Sequence, residues 1–186
     1  QVMLAFHNYH GSEKHLPPRA FTDTQGRPLL SWRVAILPYI EQSAMFRAIK
    51  LDQPWDGEDN WTITSTLIPI FGGDRSLGNK TTIQAPVFPG SAWDGEGPPK
   101  TFRDIRDGLS NTIAVIDAPA NAAIEWANPQ PWVISADDPM SDIFGDRQAV
   151  TVGMFDGAVI TLTRETMTNE KLKAMLTIAG GEVIEP

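Results

Sequence analysis

Residues 149–162 read Ala-Val-Thr-Val-Gly-Met-Phe-Asp-Gly-Ala-Val-Ile-Thr-Leu, and this stretch decides the fold class. Two runs rich in β-branched and apolar residues flank Asp156-Gly157. Asp-Gly between such runs is the strongest short-range hairpin signal, because Gly accepts the positive φ that a type I′ turn demands. The stretch therefore predicts a β-hairpin and an antiparallel sheet in the C-terminal half. Upstream, further β-like runs occur at 70–71, 83–88, 112–116, 122–126 and 132–134, separated by Gly, Pro and Asp. Downstream, Thr168 reads as the cap of a closing helix. Leu172, Met175, Leu176 and Ala179 share one face of it, and Gly180 stands as its stop.

The first half reads as helical. Val2, Met3, Phe6 and Tyr9 lie close to helical spacing, with Gly11 where a C-terminal cap belongs. Residues 1–10 read as the last turns of a helix that begins upstream. Pro17-Pro18 and Gly26–Pro28 predict an irregular stretch. Ser31 caps a second helix through Trp32, Ala35 and Ile36, which Pro38 kinks or divides before residues 39–49 continue it. Asn60 is placed to cap a short helix reaching Ile68, ahead of Pro69. Helices first and strands after predict an α+β fold, with helices packed on an antiparallel sheet. At 186 residues one domain, 1–186, is the expectation.

Composition excludes several function classes. No cysteine is present, which removes disulfides, thiolate nucleophiles and cysteine metal sites. A net charge of −8 argues against nucleic acid as a partner, since binding a phosphate backbone needs a basic face. Residues 1–93 are neutral, and the whole acidic surplus lies in 94–186. Asp107, Asp117, Glu125, Asp137, Asp138, Asp142 and Asp146 follow one another with no Lys or Arg between them. Such carboxylates stay hydrated, bind a cation, or meet a basic surface. No apolar run is long enough to span a membrane.

The search for chemistry yields candidates without a constellation. His7 and His10 share a helix face at i, i+3, with His15 beyond. No HExxH pattern accompanies them, so they read as helix-end histidines, where protonation suits the helix dipole. Residues 73–81 resemble a phosphate loop, but Asn79 puts Lys80 one residue out of register. No GxSxG is formed. Six tryptophans, Trp32, Trp55, Trp61, Trp93, Trp126 and Trp132, could stack sugars or fill the core. Asp52, Asp56, Glu58 and Asp59 cluster on a turn, and Asp137, Asp138 and Asp142 on another, so both are Ca²⁺ candidates. No catalytic residue and no cofactor-binding residue is assigned.

Several segments in order resemble one bacterial prepilin-like family, domain of unknown function 1559, often labelled type II secretion pseudopilin-like. They are Leu4–His10, Leu16-Pro17-Pro18, Leu30–Val34 with Trp32, Leu37–Gln42 with Pro38, and Leu51–Asp56 with Trp55. The likeness resumes at Phe102–Ile113, with Asp107, Gly108 and Asn111, at Phe155–Val159 with Asp156 and Gly157, and at Leu176–Val183. The resemblance implies a pilin-like head, an upstream apolar helix after a prepilin-type signal, and a place on the outer side of the cytoplasmic membrane. It implies membrane contact only through that upstream helix, and other envelope or pilin-like subunits as partners. It also implies a histidine followed by nine residues and then the C-terminal Asp-Gly, a position Asp146 occupies here. Phe71-Gly72-Gly73-Asp74 stands where many members have a Cys-Pro-Ser-Asp-like segment. The resulting expectation is a non-enzymatic envelope protein acting through protein–protein assembly. The alternatives are a carbohydrate-binding module using exposed tryptophans and a carboxylate-dependent hydrolase.

Overall fold

A computed structural model describes residues 1–72, 77–95 and 98–181. The chain is mixed α+β, as the order of its elements predicts, and forms two compact units. The first comprises Gln1–Thr81 and Ala123–Gln130, and the second Thr82–Ala122 and Pro131–Pro186. No described helix is long and apolar enough to cross a membrane.

In the first unit, helix α1 (Val2–Glu13) buries Val2, Met3, Ala5 and Phe6. It runs through Gly11 and ends at Lys14, which adopts the left-handed conformation at φ 67° and donates its N–H to His10 O. A glycine inside a helix costs only about 1 kcal/mol, and the turn falls where the chain must bury Leu16. Strands β1 (Ala20–Thr22) and β2 (Pro28–Ser31) form an antiparallel hairpin where the sequence reads as irregular. Asp23 N–H donates to Arg27 O, Gly26 N–H donates to Asp23 O, and the Asp23 carboxylate accepts from the N–H of Gln25 and Arg27. Pro28 is tolerated because it opens its strand beside a register shift.

Ser31 caps helix α2 (Trp32–Ala35), its Oγ accepting from Arg33 N–H at 3.2 Å, as predicted. Pro38 divides the helical stretch into a 3₁₀ turn, Leu37–Ile40, and helix α3 (Ser43–Ala48). Gly57, not Asn60, caps helix α4 (Glu58–Thr64), because the Asn60 side chain is occupied with the loop at 50–54. Ile70-Phe71 is a turn rather than a strand, with the Phe71 ring in the core. Strand β3 (Lys80–Thr81) closes the unit by pairing antiparallel with the strand Ile124–Glu125.

The second unit holds a four-stranded antiparallel sheet. Its members are β4 (Ile83–Gln84), β6 (Ile113–Asp117), β9 (Ala149–Met154) and β10 (Val159–Thr163), in the order β10-β9-β6-β4. Here β5 (Pro86–Val87) and β7, the Ile124–Glu125 strand named above, bracket β6 in the chain. β5 pairs with β8 (Trp132–Val133) in parallel, the one described exception to the antiparallel expectation. Helices α5 (Pro139–Phe144) and α6 (Asn169–Leu176) cover one face of the sheet. Ile143 and Phe144, with Leu172, Met175 and Leu176, meet Ile116, Val150, Val152 and Leu162. A bulge at Ala114 interrupts the β6–β9 register, and the carbonyl it frees accepts the Trp93 indole N–H at 2.9 Å.

The hairpin at 149–163 is present, but its turn is not the two-residue type I′. Gly157 N–H donates to Met154 O at 3.0 Å and Met154 N–H to Ala158 O at 2.8 Å. Gly157 has φ 99°, while Asp156 stays at negative φ. This is a three-residue loop, a type I turn followed by a left-handed residue, so Asp156 escapes the positive φ that type I′ would impose. The Asp23–Arg27 loop repeats the same bond pattern. Gly157→Ala is expected to cost about 1–2 kcal/mol, measured by urea denaturation, because an L side chain is strained at that φ.

Thr168 caps α6, as predicted, its Oγ accepting from Lys171 N–H. The helix stops at Leu176 rather than Ala179. Tertiary bonds pull the next residues straight: Ile178 N–H reaches Gly90 O at 3.0 Å, and Ile178 O accepts from the N–H of Arg106 and Asp107.

Candidate functional site

The second unit brings together three of the sequence boxes. Asp107, Gly108 and Asn111 open the approach to β6. Gly108 sits at φ 100°, and Asn111 donates its Nδ2 to Asp107 O at 2.9 Å. Asp107 then reaches the far end of the chain: Oδ2 accepts from Gly180 N–H at 2.7 Å and Oδ1 from Gly181 N–H at 2.9 Å. The Phe155-Asp156-Gly157 loop joins them, with Asp156 N–H donating to Leu109 O and Phe155 N–H to Thr112 O. Asp156 Oδ1 accepts from Ala158 N–H at 2.8 Å, which holds its own turn closed. Asp107 thus clasps the segment after α6, with Gly108 and Asn111 shaping its own turn and the Asp156-Gly157 loop tied to the same 107–112 stretch. The sequence marks Gly180 as a helix stop and places both glycines in the closing box, but their meeting with Asp107 depends on the path of the chain. Residues 182 and 183 of the closing box lie outside the described residues, as do residues 73–76 of the loop that resembles a phosphate site.

With both oxygens of Asp107 on backbone N–H groups, this carboxylate holds chain segments in place. Asp107→Ala is expected to cost about 1–3 kcal/mol and to speed amide exchange at Gly180 and Gly181, with Asp107→Asn in between because it keeps one acceptor oxygen. Hydrogen exchange read by NMR checks both variants.

The same use of carboxylates recurs through the acidic region. Asp104 accepts from Thr101 N–H and Oγ, Asp117 from Thr82 Oγ, Asp138 from Ser141 N–H, and Asp142 from Ser135 N–H. The sequence offered hydration, a cation or a basic surface as their partners. The structure shows that local N–H and O–H donors also serve. The Ca²⁺ candidates Asp137, Asp138 and Asp142 flank the start of α5. Asp138 caps that helix, Asp142 ties back to Ser135, and Asp137 donates its N–H to Ser135 Oγ. Among the described residues, no three His, Asp or Glu side chains are grouped to hold a metal ion. Asp146 is exposed. At the other end of α5, Arg147 and Arg164 donate to the Ile143 and Gly145 carbonyls, as cations suit a helix C-terminus.

The Thr101 N–H beside Asp104 holds its carboxyl below the usual range, with the Thr101 hydroxyl adding to this. A depressed carboxyl stabilises the fold above its unfolded pKa near 4 and stops doing so as pH falls through the folded value. Asp104→Asn is therefore expected to flatten the acid limb of the Tm-against-pH curve below pH 4, measured by calorimetry.

The remaining motif residues lie in the first unit. Trp32 packs edge-on against Phe6 at 5.2 Å and Phe71 at 6.4 Å, and the Arg33 guanidinium sits 4.6 Å from its ring centre. Arg33 is buried, and burial pushes its pKa down to about 9. A single Arg inside the apolar run Leu29–Leu37 was the available signal for it. Pro38 lies in the 3₁₀ turn. Trp55 N–H donates to Leu29 O, and its ring meets Trp61 at 6.1 Å. Trp93 and Trp126 are core residues, Trp55 and Trp132 are half-buried, and Trp61 is 48% exposed. His7 and His10 lie on α1, and His15 Nδ1 is 2.7 Å from Leu16 O. Burial, then His7, Lys14 and His15, push the His10 pKa down, against the protonation that the helix end was expected to favour.

A family model described as "Protein of unknown function (DUF1559)" matches residues 1–92. Residues 1–92 belong to this family. The matched residues include Trp32, Pro38 and Trp55, whereas the clasp residues at 107–111 and 156–157 lie beyond them. No curated protein and no solved structure matches the chain.

Proposed function

We propose that this protein is the head of a type II secretion pseudopilin-like subunit. In this reading it is a non-enzymatic cell-envelope protein that acts through protein–protein assembly. The observation that carries the reading is the use made of the motif residues: Asp107 and Asp156 bind backbone N–H groups, and Trp32 fills the core. These motif residues hold backbone segments in place and fill the core. Helix α1, with one face buried, supports reading its start as the end of a longer anchoring helix that places the head outside the cytoplasmic membrane. The pilin-like fold and the single head belong to this same reading.

The test is the full gene product in its host. Expected are a prepilin-type signal before Gln1, processing by prepilin peptidase, and a head cleaved by protease added outside the membrane. A start codon directly before Gln1 and a cytosolic product would overturn the reading. No cofactor is part of it, and calorimetric titration with Ca²⁺ is expected to give no heat. A second reading, polysaccharide binding, rests on the half-exposed Trp61 beside Trp55. Quenching of Trp61 fluorescence by envelope glycans, lost in Trp61→Ala, would favour it.

A further inference from the structure

Sheets normally protect their edges with short strands, charge, proline or bulges, since an open edge pairs with another strand. The two edges of the four-stranded sheet differ in this respect. At one edge β4 is two residues long and followed closely by Pro86. At the other edge β10 has five residues, Val159-Ile160-Thr161-Leu162-Thr163, with no charge, no proline and an unbroken register against β9. Val159 is 63% and Ile160 39% exposed. Arg164 N–H donates to Gln148 O and Met154 N–H to Ala158 O, so by alternation Ile160 and Leu162 bond inward to β9. The N–H and C=O groups of Val159 and Thr161 therefore face outward, and no described strand pairs with them.

We infer that β10 pairs antiparallel with β10 of a second copy of this chain, about a two-fold axis at Thr161. The strand's own sequence selects this occupant. Antiparallel pairing centred on Thr161 sets Val159 against Thr163, Ile160 against Leu162 and Thr161 against Thr161. Each pair is β-branched or aliphatic, and pairs of this kind stabilise neighbouring strands. Both partners present the same patch, so the interface closes as a dimer. Charge agrees with this: the chain carries −8, yet the nearest charged residues flank the strand at Asp156 and Arg164. Two acidic chains can approach along this strand, which carries none. This inference concerns a surface separate from the clasp and does not depend on the envelope reading.

Analytical ultracentrifugation of the whole chain is expected to show a monomer–dimer equilibrium that tightens as salt screens the −8 of each copy. Thr161→Pro removes only an outward N–H, so it should weaken the dimer about tenfold or more while leaving the Tm of the monomer nearly unchanged. The absence of cysteine permits a direct proximity test. In the proposed pair the two Thr161 Cα atoms lie about 5.5 Å apart, within disulfide reach. Thr161→Cys should cross-link under mild oxidation at least about tenfold faster than Val133→Cys, which is also exposed. A chain that stays monomeric at high salt, or forms open-ended polymers, overturns the proposal. So does equal cross-linking at the two positions.

Discussion

Trp126→Ala will cost about 3–5 kcal/mol, among the largest single-residue losses available in the first unit. Trp126 is buried, stacks on Phe71 at 6.1 Å and 24°, and donates its indole N–H to Thr66 O at 2.9 Å. Its carbonyl accepts from Ser31 Oγ at 2.6 Å, so the residue also anchors the cap of α2. Alanine leaves a cavity beside Phe71, which also meets Trp32. Trp126→Phe keeps a ring against Phe71 but loses the N–H to Thr66 O and the indole's second ring, and should cost about 1–3 kcal/mol. Urea denaturation of the two variants separates the ring stacked on Phe71 from the rest of the indole. Equal losses would show that the stack with Phe71 contributes nothing.

Asn60→Ala is the second. The Asn60 side chain is fully buried: Oδ1 accepts from Lys50 N–H at 2.9 Å, and Nδ2 donates to the carbonyls of Lys50, Gln53 and Pro54 at 2.9, 3.1 and 3.2 Å. One amide thus fixes the loop that leads into Trp55. Lys50 O and Pro54 O keep the N–H groups of Gln53 and Gly57, but removing the amide takes this partner from Lys50 N–H and Gln53 O, at a cost of about 2–4 kcal/mol. Asn60→Asp is sharper, because a carboxylate can still accept from Lys50 but would face three carbonyl oxygens. That variant should be destabilised at neutral pH and partly recover near pH 4, where a protonated carboxyl can donate. A flat pH dependence would overturn the assignment of Nδ2 as the donor.

Local chemistry with a single outcome was legible in the sequence. Ser31 and Thr168 cap helices, and Asp-Gly makes a hairpin, because each satisfies bonds within four residues. Features decided by distant partners were not legible. Ile178 leaves the helical path to bond Gly90 and the Arg106-Asp107 backbone, so the Gly180 stop was read three residues too late. Asn60 carries the right residue type for a cap, but its donors find a loop ten residues back. The Asp23–Arg27 loop did carry a local signal in Asp-x-x-Gly, overshadowed by Pro28. Within the clasp, the Asp107 and Asp156 boxes were singled out by resemblance. That they meet, and that glycine N–H groups complete them, depended on the path of the whole chain.

The first unit is discontinuous along the chain, because residues 123–130 return to it after β6. The family model ends at residue 92, ahead of that return. Where sequence likeness stops is therefore not where folding can stop. A fragment cut at residue 92 would keep Trp32 and Phe71 but lack the indole that stacks against Phe71. Exchange of segments between relatives meets the same constraint. A transplanted N-terminal half has to find, some thirty residues past its own boundary, an eight-residue return that fits it.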